Sequence, residues 1–183
     1  MQYGLRDGFE NSRSAGHFRR FRKGVADTGM KVLFICTGNT CRSPMCEGYF
    51  RKLCKSAGRN DIIVGSAGTF ACDGAGSSEQ SVAVMKEHGI DLSGFSSSTL
   101  TPKLLEDADL VVAMTTAHRL HVGSMLPAAL KKTRLLMEFS SRSKGRNVND
   151  PFGGDKEIYS ACFEEMKEAL DNLFLDIDRI LKK

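Results

Sequence analysis

Lys31–Pro44 reads KVLFICTGNTCRSP, and it divides into three parts. Val32, Leu33, Phe34 and Ile35 make an unbroken apolar run, the pattern of a strand buried on both faces. Cys36 to Arg42 follows as a loop of small and polar residues. Ser43 and Pro44 then give a helix start, with proline where its missing N–H costs nothing and Ser43 as a helix cap. A strand, a tight loop and a helix N-terminus together aim backbone N–H groups inward, and the helix dipole favours negative charge there. That geometry holds an oxyanion.

Two side chains make the cradle reactive. Cys36 ends the strand and Arg42 closes the loop, giving Cys-x5-Arg. A thiol beside a helix N-terminus and a guanidinium favours its nucleophilic thiolate form. The planar fork of Arg42 suits two oxygens of one anion. Gly38 allows close backbone approach, and Asn39 tolerates a left-handed turn. Ser43 is expected to hydrogen-bond the Cys36 thiolate as well as to cap the helix.

This stretch resembles the phosphate loop of the low-molecular-weight protein tyrosine phosphatases, Cys-x-Gly-Asn-x-Cys-Arg-Ser-Pro. Cys36, Gly38, Asn39, Cys41, Arg42, Ser43 and Pro44 all match it, and the resemblance runs from Lys31 to the C-terminus. A second family motif, Asp-Pro-aromatic, stands downstream as Asp150-Pro151-Phe152. The resemblance implies a cysteine-dependent protein phosphatase that forms a phosphocysteine, with Cys36, Arg42 and Asp150 as catalytic residues. Thr37, Gly38, Asn39, Thr40, Cys41, Arg42 and Ser43 would wrap the phosphate. Asp150 would protonate the leaving group and then activate water. Cys41 would be the redox partner of Cys36, forming a reversible disulfide with it.

Substrate choice rests on Thr40 and Phe152. Tyrosine-specific members usually carry a bulky aliphatic residue in place of Thr40 and often tyrosine in place of Phe152. Thr40 together with Asp-Pro-Phe-Gly-Gly resembles the bacterial protein arginine phosphatases. The expected substrates are therefore proteins phosphorylated on arginine, with phosphotyrosine as the alternative.

Other classes compete. Arsenate reductases share the loop and fold, but in related enzymes extra cysteines follow the third strand, and Met114 to Leu120 contains none. A metal module of Cys36, Cys41, Cys46 and Cys54 lacks paired Cys-x2-Cys spacing and leaves Arg42 and Asp150 unexplained. A non-catalytic phosphoprotein-binding module would use the same cradle without turnover. No metal and no cofactor is expected, and His88, His118 and His121 read as surface or loop residues.

The rest of the chain fits an α/β fold: three layers, a four-stranded parallel sheet with helices on both faces, and the phosphate loop after strand 1. Strands are expected at Ile62–Val64, ended by Gly65 to Gly68, at Leu110–Met114 and at Thr133–Met137. Helices are expected over 44–56, 79–88, 101–107, 118–126 and 156–181. The last shows a stripe of Ile158, Cys162, Met166, Leu170, Leu173, Ile177 and Ile180. Phe139 to Gly154 is a long loop.

The 183 residues carry 41% hydrophobic and 26% charged residues, ordinary for one globular domain over residues 30–183. Of the net charge of +4, three units fall within Met1–Met30, so the domain makes no case for nucleic acid. Residues 1–29 read as a flexible or non-native N-terminal extension, with Met30 as an alternative start and 18–22 as a short basic arm. No apolar run reaches membrane-spanning length, and no secretory leader is evident. A reduced, cytoplasmic monomer is expected, with Cys46, Cys54, Cys72 and Cys162 packed as small hydrophobes.

Overall fold

The computed structural model describes residues 29–181; the expected N-terminal extension, with its basic arm at 18–22, lies outside them but for Gly29. The elements run β1 (Met30–Cys36), α1 (Arg42–Ser56), β2 (Ile62–Gly68), α2 (Glu79–Glu87), α3 (Pro102–Asp107), β3 (Leu110–Ala113), α4 (Thr116–Met125), β4 (Thr133–Leu135) and α5 (Lys156–Leu181). Short 3-10 turns cover Pro127–Lys132 and Leu136–Glu138. The sheet is parallel, in the order β2-β1-β3-β4. The parallel four-stranded architecture expected from the alternating pattern is therefore present.

The period of two along β1 sorts its side chains between two cores. Val32, Phe34 and Cys36 join the cluster built with α1, α2 and α5. Leu33 and Ile35 join the opposite cluster, with Leu105 of α3 and Val122 of α4. Both faces of the central strand are thus covered, which explains its unbroken apolar run. Each fully buried large apolar side chain contributes about 1.5–3 kcal/mol. Ligands in such sheets bind beyond the carboxyl ends of the strands, and Cys36 is the last residue of β1.

Several boundaries differ from the sequence reading. β2 continues through Gly65–Gly68 instead of stopping there, because these residues pair with Leu33 to Cys36. The small residues serve close approach: a Cβ on Gly68 would stand 2.4 Å from the Thr37 carbonyl oxygen and 2.9 Å from the Asn39 nitrogen. β4 ends at Leu135, where the chain tightens into a 3-10 turn. α4 begins earlier than expected, at Thr116, because the Thr115 hydroxyl caps it by accepting from the His118 N–H. β3 ends at Ala113, and α1 begins at Arg42.

Three side-chain readings are also corrected. Ile158 is half exposed, and Tyr159 and Phe163 turn inward in its place, beside Cys162 and Met166 of the expected stripe. The inward face of α5 lies one residue, about 100°, away from the stripe at its first turn. Cys72 is exposed on the loop after β2, where no core reaches it. His118 is buried at 5% exposure, enclosed between α4 and the loop after β1. No helix among the described residues is long and apolar enough to cross a membrane.

Candidate active site

The loop after β1 turns because Asn39 adopts φ 54°, the left-handed region that asparagine tolerates better than most residues. Its outward carbonyls are taken by the segment after β2. Thr69 N–H donates to the Cys36 carbonyl at 3.0 Å, Phe70 N–H to Thr37 at 2.9 Å and Ser78 N–H to Thr40 at 2.9 Å. No side chain caps the first turn of α1. The capping expected of Ser43 is therefore not present: Ser43 lies inside the helix, and its hydroxyl oxygen is 2.9 Å from the Cys36 sulfur. With the carbonyls of Cys36, Thr37 and Thr40 taken and no side chain capping α1, the N–H groups at the helix start are left for an anion.

Arg42 is 4% exposed and reaches across the site. Its Nη2 donates to Asp150 Oδ2 at 2.6 Å, joining positions 108 residues apart in the chain. Its buried Nε has no hydrogen-bond partner, an orphan that a phosphoryl oxygen would satisfy. Asp150 stands at the mouth with its side chain 52% exposed. Asp150 Oδ1 accepts from the Phe152 N–H at 3.2 Å. Phe152 itself is 82% exposed, on the rim.

Thr40 is half-buried in the loop, with its hydroxyl 3.5 Å from the Cys41 sulfur. Cys41 is buried and lies 3.1 Å from the Tyr159 hydroxyl. Burial, followed by that contact, pushes the Tyr159 phenol up to about 12. Gly38 sits at the top of the turn, where an added Cβ would come 3.4 Å from the Thr40 hydroxyl. The seven loop positions from Thr37 to Ser43 and the distant Asp150 thus meet at one end of the sheet.

Sequence reasoning missed several neighbours of this site. His118 Nε2 lies 2.9 Å from the Thr37 hydroxyl, and its Nδ1 lies 2.9 Å from the Thr115 hydroxyl. Burial first, and then the Arg42 guanidinium, push the imidazole down to about 4, so it stays neutral near pH 7. Ser66 and Ser98 bond to Asn39, Glu47 bonds to Ser66, and none of the three was singled out either. Glu47 and Arg51 stand four apart on α1, a pairing readable from the sequence, but its burial is not. No cluster of three or more His, Cys, Asp or Glu side chains suited to a metal ion occurs among the described residues.

A family model described as low molecular weight phosphotyrosine protein phosphatase matches residues 31–183. A protein-arginine-phosphatase of Bacillus subtilis is 40% identical over 144 residues, covering 79% of this chain and 94% of its own length. A low molecular weight protein-tyrosine-phosphatase of Streptomyces coelicolor is 31% identical, covering 78% and 90% respectively. The structure of a YwlE arginine phosphatase mutant with a phosphorylated active-site serine superposes with a TM-score of 0.76 at 38% identity, over 82% of this chain and 99% of that one. The chain belongs to the low molecular weight phosphotyrosine protein phosphatase family.

Proposed function

We propose that this protein is a cysteine-dependent phosphatase that hydrolyses phosphoarginine residues in proteins through a phosphocysteine. The observation that carries the reading is the convergence of Cys36, Ser43, Arg42 and Asp150 around one loop at the end of β1. The Cys36 thiolate attacks phosphorus as the P–N bond breaks. Arg42 and the loop N–H groups hold the equatorial oxygens as charge develops on them. Protonated Asp150, at the mouth, delivers its proton to the departing guanidine nitrogen. The resulting carboxylate then takes a proton from water, which attacks the phosphocysteine and releases phosphate and the Cys36 thiolate. The phosphorylated active-site serine in the related arginine phosphatase mutant supports a covalent phosphoenzyme.

Arginine specificity is inferred from Thr40 and Phe152 together with the 40%-identical arginine phosphatase. A small hydroxyl-bearing residue at position 40 leaves room for a planar polar guanidinium, and the exposed Asp150 offers it a carboxylate. Phe152 supplies an aromatic face for cation–π contact. The test compares kcat/KM on matched phosphoarginine and phosphotyrosine peptides. The phosphoarginine peptide is expected to be preferred, and Thr40→Ile to move the ratio at least tenfold toward phosphotyrosine, about 1.4 kcal/mol of discrimination. A preference for phosphotyrosine in the unaltered enzyme would assign it to the other branch of the family.

We also infer that Cys41 guards the nucleophile. A peroxide converts the Cys36 thiolate to a sulfenic acid, and the Cys41 thiol then displaces water from that sulfur to close a disulfide. All six cysteines are free thiols, which suits a reducing compartment. The working assignment is a cytoplasmic monomer acting on phosphorylated proteins without a cofactor.

A further inference from the structure

Cys36 is tied to the far side of α1 by an unbroken chain of buried polar groups. The Ser98 N–H donates to Asn39 Oδ1 at 2.8 Å. A backbone N–H can only donate, so this bond identifies which end of the Asn39 amide is the carbonyl. The two protons on Asn39 Nδ2 are then committed, one to Ser43 Oγ and one to Ser66 Oγ, each at 2.8 Å. Each serine oxygen accepts from Asn39 and keeps one proton to give. The Ser43 proton goes to the Cys36 sulfur, 2.9 Å away. The Ser66 proton goes to Glu47 Oε2 at 2.6 Å.

Glu47 is 3% exposed, and its other oxygen holds Arg51 Nη2 at 2.6 Å. Burial pushes its carboxyl up from the ordinary value, while the Arg51 guanidinium and the Ser66 hydroxyl pull the other way. Burying such a pair gains little stability over an apolar residue of the same volume. No step of the phosphoryl transfer uses Glu47. Its placement at the end of the chain is what the stability argument leaves unexplained.

We propose that Glu47 is a positioning residue for phosphoryl transfer: by holding the Ser66 proton it keeps Ser66 an acceptor toward Asn39, and so keeps the Ser43 proton aimed at the Cys36 sulfur. The proposal rests on Cys36 being the nucleophile. Glu47→Gln preserves shape and inverts one end of the chain. Arg51 takes the new carbonyl oxygen, so the amide N–H2 faces Ser66 as a donor. The Ser66 proton then turns toward the Asn39 amide N–H2 or is left unbonded. Either way Asn39 loosens at the one left-handed non-glycine position among the described residues, and the bond from Ser43 to the thiolate weakens.

The experiment measures the pH profile of Cys36 alkylation by iodoacetamide, followed on the Cys36 peptide by mass spectrometry. kcat and KM on p-nitrophenyl phosphate are measured alongside it. The proteins are the unaltered full chain, Glu47→Gln, Ser43→Ala and the double variant. Cys46, whose thiol lies against the Met114 and Met166 sulfurs and which feels the charges of Cys36 and Arg42, is untouched in all of them. Glu47→Gln is expected to shift the profile to higher pH and to lower kcat roughly tenfold, with KM within about twofold. In the Ser43→Ala background the same change should add less than about twofold, because the effect travels through Ser43. An unchanged profile and kcat, or effects that simply multiply, would overturn the proposal. If Glu47→Gln does not fold, Ser66→Ala opens the same link with the Glu47–Arg51 pair intact and must show the same shift and the same non-additivity. Retained turnover in Cys36→Ala would instead remove the nucleophile on which the proposal depends, and would overturn both readings together.

Discussion

The floor of this site and its rim are built on different terms. On the floor, Cys36, Asn39, Ser43 and Ser66 are buried, and each is held by hydrogen bonds between 2.6 and 2.9 Å. On the rim, Phe152 and Phe70 are 82% and 75% exposed, and the Asp150 side chain is 52% exposed. Phe70 meets His121 edge-to-face, and Phe152 touches Asp150 through its backbone. The Arg42–Asp150 bond spans the two regions. Reacting atoms need positions good to a fraction of an ångström, which locked side chains supply. A phosphorylated side chain on a folded protein needs an open approach, which exposed groups supply. On the proposed reading, the floor holds the nucleophile, and the rim holds the acid and the aromatic side chain that meet the substrate.

That division orders the expected losses. Breaking the floor at its sulfur has the largest effect. Cys36→Ser should abolish turnover while thermal unfolding and far-UV dichroism stay unchanged, and after incubation with substrate its intact mass should rise by one phosphate. Persisting turnover would refute the role of Cys36. Breaking the rim at its acid comes next. Asp150→Asn should lower kcat by about 10²–10⁴-fold while the phosphoenzyme still forms. On a substrate whose leaving group needs no proton, such as an activated aryl phosphate, formation of the phosphoenzyme should be nearly normal. An equal loss on both substrates would mean that Asp150 serves chiefly to hold Arg42, not to move a proton.

The floor was also the more legible of the two in the sequence, for a physical reason. All of its groups but Ser66 fall within one short stretch, so strand period, loop composition and helix start place Cys36 to Ser43 without any long-range contact. Asp150 lies 108 residues from Arg42, and no local pattern brings an Asp-Pro turn to a distant loop; family resemblance supplied that link. The parallel sheet was readable because apolar runs alternate with helical segments. The end of β2 was not. Gly65 to Gly68 carry the composition of a turn, yet the loop backbone needs a strand edge without bulk beside it. Of the two roles expected of Ser43, the bond to the thiol is present and the cap is not: a serine before proline at a helix start usually caps, but here the thiol claims its hydroxyl. Glu47, Ser66 and Ser98 belong to one three-dimensional hydrogen-bond chain and His118 to a separate contact with Thr37, and nothing in their spacing reports either.

His118 tests the boundary between the two regions, with the smallest expected effect on catalysis. It comes from α4, outside the loop, and steadies the Thr37 hydroxyl from below while Thr37 itself faces solvent. A prop of this kind should cost activity less than tenfold when replaced by glutamine, which keeps a polar end within reach of Thr37. Its clearer signature lies in stability. Folded His118 refuses a proton until about pH 4, because burial and then Arg42 oppose the charge. The unfolded chain accepts that proton near pH 6.5. Between those values the unfolded state binds more protons, so stability falls as pH falls through the window, and above about pH 6.5 the penalty is absent. Denaturant midpoints at pH 7 and pH 4.5 should therefore diverge more for the unaltered protein than for His118→Gln, with other acid-titrating groups cancelling between the two. Equal divergence would mean that the imidazole is hydrated enough to charge freely, and that the floor ends at Thr37 without support from α4.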